Sequence, residues 1–162
     1  MLATLALHLP DEAATLAFGA RLARTLEPGL VIHLSGELGA GKTTLARGVV
    51  AALGHRGKVK SPTYTLVELY PLSSIDLYHF DFFRLRNPDE WQDAGFRDHF
   101  GTHAVCLVEW PERAGTHAPA ADLLVRLASG GTGGRDATLA ALSERGRACI
   151  DRLRAGGDLP PA

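Results

Sequence analysis

The run Gly36-Glu37-Leu38-Gly39-Ala40-Gly41-Lys42-Thr43 fits the pattern G-x-x-x-x-G-K-[ST] in full, and Thr44 follows it. Each residue type in it answers a need of phosphate chemistry. Glycines let the backbone curl until successive N–H groups point inward at phosphate oxygens. Lys42 brings a point charge to the β- and γ-phosphates, and the Thr43 hydroxyl is placed to ligate Mg²⁺. A helix starting at Lys42 adds its positive end to the same anion site. A glycine-rich turn can also be no more than a tight link between strand and helix. The Lys-Thr pair, and the apolar run Leu30-Val31-Ile32-His33-Leu34 just before the turn, favour nucleotide binding.

A phosphate loop needs an acidic group at the end of a neighbouring strand to hold Mg²⁺ or its water. Glu109 closes Val105-Cys106-Leu107-Val108 and suits that role, against the plain alternative of a solvated strand end. Asp81, within His79-Phe80-Asp81-Phe82-Phe83, would be costly to bury without a cation or donors. It is expected in the site, with an ion pair to Arg84 as the structural alternative. Thr63 and Thr65 follow Pro62. Ordinary β-propensity accounts for Thr65, while Thr63 stands evenly between that and a contact with the γ-phosphate. His99 and His103 could share a helix face, but no third metal ligand is near and Gly101 interrupts them.

These groups must be positioned by elements. Residues 11–26 carry apolar positions at helical spacing, stopped by Pro28-Gly29. A buried strand, the loop and a helix to Leu53 follow. Residues 59–70 read as a loop leading into a strand, residues 75–83 as an apolar run, and Asn87-Pro88 as a helix start. Residues 104–109 and 123–127 are further strands, and residues 137–141 are compatible with strand or helix. The alternation predicts an α/β fold, a single-domain P-loop NTPase with an open, mostly parallel sheet flanked by helices. Ligands then bind at the carboxyl ends of the strands, which places the loop, Asp81 and Glu109 together. The 162 residues suit one domain, read here as residues 1–153 with a disordered tail at 154–162.

Composition is that of a globular protein, 46% hydrophobic and 22% charged. A net charge of −1 gives no basic face for gripping nucleic acid directly. Two cysteines without CxxC spacing fit a reducing compartment, and Cys106 reads as a small buried hydrophobe. The apolar start runs into Pro10-Asp11-Glu12 and makes a poor signal peptide, so a soluble, cytoplasmic protein without membrane contact is expected. The guanine reader N-K-x-D is absent, and residues 130–134 are too short for a substrate lid. What remains is a minimal ATP-binding module whose output passes to a partner.

Four ordered segments carry a resemblance: residues 36–44, Ser61-Pro62-Thr63-Tyr64-Thr65-Leu66-Val67-Glu68, Tyr78-His79-Phe80-Asp81 with Arg84-Leu85, and Val108-Glu109-Trp110-Pro111. Over roughly residues 8 to 135 the chain resembles the bacterial TsaE family of tRNA threonylcarbamoyladenosine biosynthesis ATPases. The resemblance implies ATP and Mg²⁺ as ligands, TsaD and TsaB as partners, and tRNA met only indirectly. It implies that Lys42 binds phosphate, Thr43 and Glu109 hold Mg²⁺, Asp81 assists hydrolysis and Thr63 senses the γ-phosphate. Gly39, Ala40, Gly41 and Thr44 would complete the cradle, Trp110 would pack beside it, and Glu12, Gly134 and Arg135 would lie against the nucleotide. Two positions depart from the family's usual residues: Glu37 replaces Asp and Phe83 replaces Tyr. A stand-alone small-molecule kinase and a non-hydrolysing ATP-gated module are the competing readings.

Overall fold

The structure is a computed structural model and describes residues 2–101, 103–157 and 159. Seven strands make one sheet: β1 (Ala3–Leu9), β2 (Val31–Ser35), β3 (Val67–Pro71), β4 (Asp76–Asp81), β5 (Ala104–Glu109), β6 (Leu123–Ser129) and β7 (Arg135–Ala141). Their order across the sheet is β1-β7-β6-β2-β5-β4-β3. The open α/β sheet is as expected, but parallel pairing is confined to its centre. β6, β2, β5 and β4 run parallel, whereas β7, β1 and β3 attach antiparallel. The links β3–β4 and β6–β7 are too short for a crossover, so those pairs can only reverse direction.

Side chains alternate between two cores. Ile32, Leu34, Leu77, Val105 and Leu107 face helices α1 (Glu12–Ala23), α2 (Lys42–Ala52) and a C-terminal helix. Val31, Phe80, Cys106 and Val108 face the opposite side, where Trp91 of α3 (Pro88–Asp93) and Phe96 close a smaller cluster. Every residue of β5 is buried, as a central strand requires. Cys106 is one of them, and burial pushes its thiol up to about 12. The C-terminal helix, α4, spans Glu144–Ala155 and therefore includes Arg154 and Ala155. Positions 158 and 160–162 of the expected tail lie outside the described residues.

Local signals explain the boundaries. The Asp11 carboxylate accepts from the Ala14 N–H and starts α1. Asn87 accepts from Asp89 and Glu90, with Pro88 in the first turn. Helices α1 and α2 touch through glycine: a Cβ on Gly48 would lie 2.4 Å from the Leu16 carbonyl oxygen, and one on Gly19 2.6 Å from that of Leu45.

His33, on β2, has a buried Nε2 without a hydrogen-bond partner. Burial holds its pKa below the ordinary value, against smaller opposing contributions from the Pro119 carbonyl and Glu112. The unfolded chain therefore takes up a proton, near pH ~6.5, that the folded chain refuses. Stability should fall as pH drops through that range. Thermal midpoints of His33→Leu should show a shallower acid decline than wild type, and parallel curves would refute this.

Candidate functional site

The backbone of residues 36–41 turns between β2 and α2 through three left-handed glycines, Gly36, Gly39 and Gly41 (φ 150°, 79° and 107°). Only glycine takes such angles without strain. Gly41 is the residue capping α2, and no side chain occupies the first N–H groups of the helix. Outside the loop, the Arg135 guanidinium donates to the carbonyls of Ala40 and Gly39, each at 2.9 Å. These bonds satisfy both carbonyls and tie the start of β7 to the loop.

Lys42 is 5% exposed. Its ammonium donates to the Gly36 carbonyl and stands 4.2 Å from the centroid of the Trp110 ring. Burial lowers its pKa, opposed in turn by Glu109, Asp81 and Glu112. Trp110 itself sits in the left-handed region (φ 55°), where the chain leaves β5.

Parallel pairing sets Asp81 opposite Glu109 at the ends of β4 and β5. Both are buried. The Asp81 carboxylate accepts from the Thr63 hydroxyl and from the Phe83 N–H, each at 2.9 Å. Donors rather than an ion pair therefore offset its desolvation, and the Arg84 guanidinium lies over the Tyr64 ring instead. Thr63 also shares a hydrogen bond with Ser61. Thr65 points elsewhere, to Glu68. His99 stacks on Tyr78, and among the described residues no cluster of three or more His, Cys, Asp or Glu forms a metal cage.

Lys42, Thr43, Thr44, Thr63, Asp81 and Glu109 wall one cavity of about 210 Å³. A second hollow of about 230 Å³ is lined by Asp11, Glu12, Thr15, Gly134 and Arg135, and shares Gly39, Gly41 and Thr44 with the first. The expected residues thus fall into two adjoining groups along one loop. Ala40 lines neither hollow: its side chain packs into the core, its N–H donates to the Glu37 carbonyl within the loop, and its carbonyl accepts from Arg135. Sequence reading missed Asp11, Thr15, Ser61 and His79. For His79, the two-residue spacing to Asp81 on one strand was the available signal.

The donor set suits Mg²⁺. This ion binds through one or two protein oxygens together with phosphate oxygens and water, so a hydroxyl and a carboxylate suffice. Thr43 and Glu109 supply these within one wall.

The family model described as "Threonylcarbamoyl adenosine biosynthesis protein TsaE" matches residues 9–137. The chain belongs to the TsaE family. Among its relatives, the tRNA threonylcarbamoyladenosine biosynthesis protein TsaE of Haemophilus influenzae is 46% identical over 125 residues, covering 74% of this chain and 79% of the relative. That of Bacillus subtilis is 36% identical over 136 residues, 84% of each chain. The crystal structure of Bacillus subtilis YdiB superposes with a TM-score of 0.84 at 28% identity, covering 98% of this chain and 99% of that one. The TsaE match includes every residue of the two hollows, whereas α4 lies beyond it. Against the usual TsaE residues, Glu37 is exposed at the loop, and the Phe83 ring packs on Trp110 at 5.0 Å.

Proposed function

We propose that this TsaE-family chain binds and hydrolyses ATP as a subunit working with TsaD and TsaB homologues. The product of the joint reaction is N6-threonylcarbamoyladenosine beside the anticodon of ANN-decoding tRNAs. The observation that carries the ATPase reading is the convergence of Lys42, Thr43, Asp81 and Glu109 on one small cavity under a glycine loop. Inward N–H groups and Lys42 bind the phosphates. Thr43 and Glu109 hold Mg²⁺, which when bound neutralises charge on the phosphate oxygens. Asp81, steadied by Thr63 and the Phe83 N–H, orients the attacking water. The nucleoside end lies toward Glu12, Gly134 and Arg135, in the second hollow.

The ATPase domain in this reading runs through the end of α4 at Ala155. Tyr64, next to the cavity residue Thr63, is 81% exposed and offers a surface to a partner, and turnover by the isolated chain is slow until a partner covers the site. The near-neutral charge supports contact with tRNA through the partners and not by this chain alone. Membership of a tRNA-modification family supports a cytoplasmic setting, and among the described residues no helix is long and apolar enough to cross a membrane.

The test is a reconstituted reaction containing TsaD, TsaB, the threonylcarbamoyl-adenylate synthase, threonine, bicarbonate, ATP and tRNA. Modified adenosine is read by mass spectrometry with this chain intact, omitted, or as Lys42→Ala. Multiple turnovers are expected only with the intact chain. Equal modification in all three arms would remove the tRNA role and bring the kinase reading forward.

A further inference from the structure

His79 has no part in the mechanism above, yet it is fully buried beside the site. It lies on β4 two residues before Asp81, on the face covered by α2, and pairs in register with Leu107. Glu109, two residues beyond Leu107, therefore projects on the same face as its diagonal neighbour. The His79 Nε2 and a Glu109 carboxylate oxygen are 2.6 Å apart, with side chains 0% and 4% exposed. The Nδ1 atom of His79 is buried and has no partner. An unpaired ring acceptor is cheaper to bury than an unpaired N–H, so the imidazole proton belongs on Nε2, donated to Glu109.

We infer that His79 is a positioning residue that aims the Glu109 carboxylate at the metal, an inference that rests on the Mg²⁺–nucleotide reading of the site. A carboxylate has two oxygens and free rotation about its last bonds. Holding one oxygen from behind turns the other toward the cavity and fixes that rotamer before the ion arrives. A buried carboxylate also needs a donor when no ion is present, and the structure gives it this one. The hydroxyls of Thr63 and Ser61 do not serve, being engaged with Asp81 and with each other.

The test measures ADP affinity by titration calorimetry, with MgCl₂ and again with EDTA, for wild type, His79→Leu, His79→Gln and His79→Asn. Thermal midpoints are recorded alongside. In His79→Leu the gain in affinity that Mg²⁺ provides should shrink by about 10-fold or more, while affinity in EDTA stays at the wild-type value. His79→Gln, whose amide N–H reaches the position of Nε2, should restore most of that gain. His79→Asn is too short and should not restore it. If the leucine variant fails to fold, the contrast between Gln and Asn decides. In a Glu109→Gln background, His79→Leu should change nothing further, because the group it positions is already altered.

An equal Mg²⁺ gain in wild type and all three variants overturns the proposal and leaves the metal assignment standing. A parallel fall in both MgCl₂ and EDTA also overturns it, since that marks a purely structural role. A wild-type chain whose ADP affinity ignores Mg²⁺ overturns the metal assignment and this inference together.

Discussion

Replacing Lys42 with alanine is expected to lower ATP turnover by about 10²–10³-fold, the usual loss when one preorganised donor to a developing charge is removed. The chain places no other lysine in the cavity: Lys58 and Lys60 precede the segment that carries Thr63, and both are exposed. Folding should not suffer. The Lys42 ammonium is buried against the Gly36 carbonyl and the Trp110 ring, and burial already lowers its pKa. Removing a desolvated charge should leave the thermal midpoint unchanged or higher. Turnover with a matched melting curve separates the two effects, and a variant that melts early would assign the loss to folding. The lowered pKa gives a second check. Wild-type nucleotide affinity should decline on the alkaline side before the range of a free lysine, near pH ~10.4.

Asp81→Asn should reduce turnover by about 10²-fold or more while ADP affinity stays within a small factor of wild type. The amide keeps the shape and can still accept from the Phe83 N–H. It loses the negative charge that orients water, and it presents an NH₂ group where the carboxylate accepts from Thr63. Thr63→Ala should reproduce part of the defect, because Asp81 would then lose one of its two donors. Single-turnover hydrolysis beside equilibrium binding reads the split. Unchanged hydrolysis in Asp81→Asn would leave Asp81 a structural tie for residues 61–66. Full tRNA modification by a hydrolysis-dead variant would instead favour the ATP-gated module.

The parts of this site that were legible in the sequence are those whose residue types are chemically obligate at fixed spacing. The loop from Gly36 to Thr44 is local, and an acid after a continuous apolar strand is nearly so. What pairing brings together was not legible. His79 reaches Glu109 only because β4 lies parallel to β5 in one particular register. Strand β1 is short and mostly apolar, and its period shows only in the alternation of Leu5, Leu7 and Leu9 with Thr4, Ala6 and His8. Helix α4 leaves a weak pattern because its apolar face is narrow: Cys149, Ile150 and Leu153 are buried among charged neighbours. Ser143 before it, whose hydroxyl accepts from the Gly146 N–H, was a usable start signal. The sheet's mixed direction was hidden because strand polarity follows connection geometry, which composition does not record.

The contact between Gly19 and Gly48 sets a gauge. Helix α1 begins at Glu12 on the wall of one hollow, and the start of α2, from Gly41 to Thr44, borders both. The distance from Glu12 to the phosphate loop thus follows from how closely two backbones approach at these glycines, and in the proposed mode it would set the span open to a nucleotide. A single methyl at either position prises the callipers open without touching the ligand. Heat-sensitive alleles of such a protein would then map to its packing glycines, and their first symptom would be a loosened grip on the nucleoside, well before the fold gives way.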